Sequence, residues 1–128
     1  MARMEARFTL EEKVGRGAFG EVFRARDLET GERVAVKRLH QGLDDDAALD
    51  RFRREARLLS ILDDPHVVRY VDHGEDAEGR LFLAVEWLEG EDLGKRQQRE
   101  RLGFAQVIEA ARQAALGLHA LHEAGIVH

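Results

Sequence analysis

Gly15-Arg16-Gly17-Ala18-Phe19-Gly20-Glu21-Val22, followed seventeen residues after Gly20 by Lys37 at the end of Val34-Ala35-Val36-Lys37, is the pair of stretches on which the reading of this chain turns. Three glycines at this spacing let a backbone turn tightly and approach a charged ligand without a Cβ in the way. Successive N–H groups in such a turn form a concavity that attracts phosphate. Dinucleotide-binding folds carry G-x-G-x-x-G as well, but there the third glycine opens a helix. Here Val22 and the alternation through Phe23-Arg24-Ala25-Arg26 read as a strand, so the loop is expected to join two strands as a hairpin.

Working outward, Phe8, Leu10 and Val14 take alternate positions of a first strand, with residues 1–6 expected as a frayed tail. A second strand is expected over Glu21–Arg26 and a third over Arg33–Leu39, joined by a polar turn in which Gly31 is free to adopt positive φ. On the third strand Ala35 and Lys37 share one face and Val34 and Val36 the other. Asp44, Asp45 and Asp46 precede a helix of roughly Ala47 to Leu62, and carboxylates there read as capping rather than as a metal site. Leu49, Phe52, Ala56, Leu59 and Leu62 form its apolar face, Glu55 falls in the same arc, and Arg51, Arg53, Arg54 and Arg57 mostly take the other side. A carboxylate among leucines and a phenylalanine needs a cationic partner. A fourth strand is expected over His66–Val71, a polar turn over Gly74–Gly79, a fifth strand over Leu81–Glu86, and a long helix from Phe104 to Ala124 stopped by Gly125.

Composition narrows the class. With 44% hydrophobic and 35% charged residues the chain is globular rather than disordered, and a net charge of −5 argues against nucleic-acid binding. There is no cysteine, hence no disulfide framework or thiolate metal site. The longest apolar run, Leu81–Val85, is too short to span a bilayer, and residues 1–5 lack the apolar segment of a secretory signal. A cytoplasmic protein without a membrane segment is the expectation. His119, His122 and His128 lack the spacing of helical zinc motifs, so no metal site is expected from them.

The glycine loop ending in Val22, with V-A-V-K after it, resembles the ATP-covering loop and phosphate-pairing lysine of protein kinases, most like the eukaryotic-type serine/threonine kinases of bacteria. His66-Val67-Val68 resembles a kinase stretch, with aspartate where histidine commonly precedes Pro65. Trp87-Leu88-Glu89-Gly90-Glu91-Asp92-Leu93 resembles the hinge between kinase lobes, and Leu121–His128 the run into the catalytic loop. The resemblance implies an α+β fold. A five-stranded antiparallel sheet with one helix would occupy 8–86 after a tail of 1–7, a hinge and the start of the next helix 87–94, and the first part of a helical lobe 95–128. It implies ATP as ligand, with Val14, Gly15, Arg16 and Gly17 on one arm of the loop and Ala18, Phe19, Gly20 and Val22 on the other. Lys37 and Glu55 would form the ion pair that aligns the phosphates. Ala35 would face the adenine and Val85 guard the back of its pocket. The Glu86 carbonyl and Leu88 N–H would meet the adenine edge, and Asp92 either contacts the ribose or caps the following helix.

The resemblance covers about the first half of a kinase domain. The catalytic aspartate, the asparagine and the D-F-G aspartate that hold Mg2+ in kinases have no counterparts in these residues, so the chain alone is expected to be catalytically incomplete. In the complete kinase the partners would be ATP, Mg2+ and a protein substrate. The alternative is a non-catalytic nucleotide-binding or interaction module. A Rossmann-type oxidoreductase is disfavoured by the strand after Gly20.

Overall fold

The computed structural model describes residues 3–126. Five strands, β1 Phe8–Arg16, β2 Gly20–Asp27, β3 Arg33–Leu39, β4 Tyr70–Glu75 and β5 Leu81–Glu86, form one antiparallel sheet in the order β1-β2-β3-β5-β4. Four helices accompany them: α1 Met4–Arg7, α2 Asp46–Ile61, α3 Leu93–Arg99 and α4 Phe104–Glu123. The chain divides into two compact units. One holds the sheet and α2, and the other combines Asp63–Val67 with the residues from Leu88 onward. The stretch 63–67, expected within the first unit, therefore belongs with the second.

In the first unit the period-two pattern sorts the sheet cleanly. Ala25, Val34, Val36, Phe82 and Ala84 are buried on one face together with Phe8 and Met4, and Phe8 meets Phe82 edge to face at 5.9 Å. Asp45 caps α2 by accepting a hydrogen bond from the Ala48 N–H at 3.1 Å, as the acidic run suggests. Gly31 takes φ +75° in the β2–β3 turn.

Three expectations are corrected. The frayed tail is instead, in its described part, a helical turn with Met4 buried, because Met4 completes the apolar cluster and Arg7 finds carboxylates. The Arg7 guanidinium donates to both oxygens of buried Asp27 at 3.1 and 3.0 Å and reaches Asp72 at 3.5 Å. The fourth strand begins at Tyr70 rather than His66. Asp64 accepts from the His66 N–H at 2.8 Å and its carbonyl from Val67 N–H at 3.1 Å, a local turn that competes with extension. The following turn occupies 76–80 rather than 74–79. Asp76, buried, accepts from the main chain of Glu78 and Arg80 and from the Arg80 side chain, so Gly74 and Glu75 stay in the strand.

The Arg7–Asp27 pair makes a stability prediction. The Arg7 hydrogen bonds hold the Asp27 carboxyl below its ordinary range, with burial opposing them. A depressed carboxylate contributes stability above its unfolded pKa, about 3.9, and that contribution disappears as pH falls through the folded value. Arg7→Ala leaves Asp27 buried without its cation and is expected to cost about 3 kcal/mol. It should also flatten the acid limb of the stability curve. Chemical denaturation of both proteins between pH 2 and about 7 checks this; equal midpoints across that range would refute it.

In the second unit, α4 ends as a helix with αL glycine should. Gly125 stands at φ +90°, its N–H donating to His122 and the Ile126 N–H to Leu121, with Ile126 buried beyond. Gly117 in mid-helix lets α4 lie against the 63–67 turn, since a Cβ there would stand 2.6 Å from the His66 carbonyl oxygen. Phe104, Val107, Ile108 and Leu118 of the expected apolar stripe are exposed.

Candidate nucleotide site

The site rests on the register of three strands. Val22 lies opposite Lys37 and Lys37 opposite Leu83, while Ala35 lies opposite Val85. Directly opposed residues share a sheet face, so Val22, Ala35, Lys37, Leu83 and Val85 form one surface, the reverse of the buried cluster. Tyr70, opposite Val85 on the edge strand, extends it. Leu83 and Tyr70 were not singled out from the sequence; the alternation of β5 held that signal for Leu83, but Tyr70 needed the β4 register.

Above this face β1 and β2 are joined by the glycine loop as expected, with Gly15 opposite Val22 and Arg16 opposite Glu21. Gly17 N–H donates to Gly20 C=O at 2.8 Å across the tip, where Gly17, Ala18 and Phe19 are all exposed. Gly20 is buried for a different reason from loop freedom. A Cβ on it would stand 2.4 Å from the Arg38 carbonyl oxygen and 3.1 Å from Leu39 Cα, so only glycine lets β2 start this close to β3. The arms of the loop carry charge: Lys13 pairs with Glu21, which together with burial's opposing effect leaves the Glu21 carboxyl below its ordinary range.

Lys37, Glu55 and Phe19 line one cavity of about 150 Å³ with Leu39, Leu43, Ala48, Arg51 and Phe52. Ala48, Arg51, Phe52 and Glu55 recur at three- and four-residue spacing and form the α2 face turned toward it. Arg51, grouped with the solvated side of the helix on sequence grounds, is exposed as expected and also borders the cavity. The predicted Lys37–Glu55 pair shares the cavity without a salt bridge. Lys37 is exposed, and an ion pair between mobile side chains in water is worth only about 0–1 kcal/mol, so nothing in the fold compels contact.

The chain beyond β5 follows other rules. Glu86 is held by Arg69, exchanging Glu86 N–H to Arg69 C=O at 2.9 Å and Arg69 N–H to the Glu86 carboxylate at 3.0 Å. Leu88 is exposed, and Asp92 caps α3 by accepting from Lys95 N–H at 2.7 Å. Val14, the first member of the predicted set, is 47% exposed on β1. His119 lies 3.9 Å from Glu123, and His128 falls outside the described residues.

A cavity walled by Lys37, Arg51, a single carboxylate (Glu55) and apolar side chains carries more cationic than anionic groups and fits an anionic phosphate group, and the Ala35–Val85 surface fits an aromatic ring. Mg2+ finds no equivalent: among the described residues no three acidic or histidine side chains are placed to hold a metal.

Residues 8–128 match the protein kinase domain family. The chain belongs to that family. It is 37% identical over 126 residues to serine/threonine-protein kinase pkn2 of Myxococcus xanthus, covering 98% of this chain and 15% of the relative. It is 38% identical over 125 residues to serine/threonine-protein kinase A of Synechocystis sp., covering 95% and 24%. Among solved structures, the PknI kinase domain of Mycobacterium tuberculosis superposes with a TM-score of 0.81 at 28% identity, over 96% of this chain and 51% of that one. The chain thus spans under a third of these two curated relatives and about half of the superposed kinase domain. The five-stranded sheet and the bacterial serine/threonine-kinase likeness agree with the sequence reading. Among the described residues, no helix is long and apolar enough to cross a membrane.

Proposed function

We propose that this chain is the ATP-binding part of a serine/threonine protein kinase, gripping the nucleotide without supplying the groups that transfer its phosphate. The observation that carries the reading is the shared cavity of Lys37, Glu55 and Phe19 beneath the glycine turn. In it the Lys37 ammonium meets phosphate oxygens, Glu55 stands ready to anchor the ammonium once the phosphates order it, and the main-chain N–H groups of Ala18 and Phe19 at the loop tip close over the anion. The adenine lies against Ala35 and Val22, with Val85 behind it. Bound Mg2+ would neutralise charge on the β- and γ-phosphates, and the family residues that hold it lie outside this set. In a complete kinase domain the acceptor would be a serine or threonine hydroxyl of a protein.

The test is a titration of the chain with ATP and with an N6-benzyl ATP analogue, before and after Val85→Phe. Val85 is only half-buried and medium in size, so phenylalanine closes the space behind the ring. The analogue is expected to lose about tenfold or more in affinity while ATP changes little, a difference of one bulky group in a closed pocket. Equal loss for both ligands, or none for either, would overturn the placement of the ring. Absence of ATP binding by the unaltered chain would favour an interaction module.

A further inference from the structure

We propose that His40 is a positioning residue that fastens the tip of the glycine loop to the end of the lysine-bearing strand. The inference rests on the nucleotide reading above, and its observations are independent of it. His40 follows Leu39, the last residue of β3. Its main-chain N–H donates to the Phe19 carbonyl at 2.8 Å, and its ring Nε2 lies 3.0 Å from the Gly17 carbonyl oxygen. A carbonyl oxygen only accepts, so this contact requires the proton on Nε2. One residue therefore engages the tip at both ends, Gly17 and Phe19.

Among the described residues, no other side chain hydrogen-bonds the tip. Gly17 and Ala18 have no side chain long enough to pack, and Phe19 is 53% exposed. Among the described residues, the hydrogen bonds of the tip are the Gly17–Gly20 bond within the turn and the two from His40, with the Phe19 side chain only partly covered at the cavity. Lys37 stands three positions earlier on the same strand. Loop and lysine are thereby referred to one rigid element, which fixes where the loop N–H groups stand relative to the ammonium. A glycine loop without such a fastening orders only when the anion arrives, and the affinity for the anion falls by that ordering.

The experiment uses the 128-residue chain and two variants. His40→Leu keeps bulk and removes the donor; His40→Gln places an amide N–H near the position of Nε2. Amide hydrogen exchange at Gly17 is read without ligand, and affinities are measured for ATP and adenosine. One net hydrogen bond corresponds to about a fivefold change in an equilibrium. His40→Leu is expected to speed Gly17 exchange about fivefold and weaken ATP by a similar factor. Adenosine, which carries no phosphate, should bind unchanged, and His40→Gln should restore both readouts. Exchange at the original rate in the leucine variant, equal weakening of ATP and adenosine, or failure of glutamine to restore would overturn the proposal. Should the unaltered chain bind neither ligand, the nucleotide reading fails, while the Gly17 exchange rates still decide the tether.

Discussion

Replacing Lys37 by methionine is expected to reduce the affinity of the chain for ATP by about 10–100-fold while leaving adenosine binding and thermal stability unchanged. Lys37 is exposed and unpaired on its strand, so removing its charge breaks no internal contact and costs the fold little. A charge-assisted hydrogen bond to phosphate is worth about 1.5–3 kcal/mol, which sets the range. Methionine keeps the stem that lines the cavity beside Phe52 and Leu39. Placed in a complete kinase domain, the same change should lower the phosphoryl-transfer rate by about 10²–10³-fold, the effect of losing one preorganised donor. Calorimetric titration of both proteins with ATP and adenosine checks the first part. Unchanged ATP affinity would remove Lys37 from the site.

Gly20→Val is expected to be the most damaging single change in the glycine loop, and to act on the fold before it acts on any ligand. Its Cβ would press on the Arg38 carbonyl at 2.4 Å, main-chain atoms that have nowhere to go within a paired strand. Forcing β2 and β3 apart at this end strains the Gly17–Gly20 and His40–Phe19 hydrogen bonds together. Overpacking of this kind costs about 1–3 kcal/mol, and more for a branched side chain. In a unit of this size each kcal/mol lowers the melting midpoint by roughly 4–8 °C. Gly17→Ala is the internal control, because its Cβ would meet nothing nearer than the Gly20 oxygen at 4.0 Å. Thermal melts of the three proteins decide the matter; equal midpoints for Gly20→Val and the original chain would refute the steric account.

Much of this was legible in the chain because strands and capped helices are local. β3 and β5 begin and end where alternation and turn residues put them, and α2 starts one residue early at the capping aspartates. The shared face of Ala35 and Lys37 follows from period two alone. What sequence could not show depends on partners distant along the chain. Met4 reads as a tail residue until Phe8 and Phe82 are seen beside it. Arg51 reads as surface, which it is, but its place beside the cavity shows only once the sheet is set against α2. His66-Val67-Val68 has strand propensity, but Asp64 supplies a competing hydrogen bond that propensity does not weigh. Gly20 reads in sequence as a source of loop freedom, whereas its nearest would-be obstruction is a carbonyl eighteen residues onward. His40 carried no signal, since a single histidine after a strand fits many surroundings.

The N-terminal turn has a consequence in time. β1 and β4 lie at opposite ends of the strand order, yet residues 3–7 touch both ends of the sheet. Arg3 bridges Glu75, Glu5 accepts from the Ala77 N–H at 3.0 Å, and Arg7 joins Asp27 to Asp72. These residues and their partners near Ala77 are separated by about seventy positions, so the turn gains its contacts only after the strands between them have been made. The kinase family match starts at residue 8, just inside this turn. A boundary drawn there would discard the five residues that tie Asp27 on β2 to β4 and the turn after it.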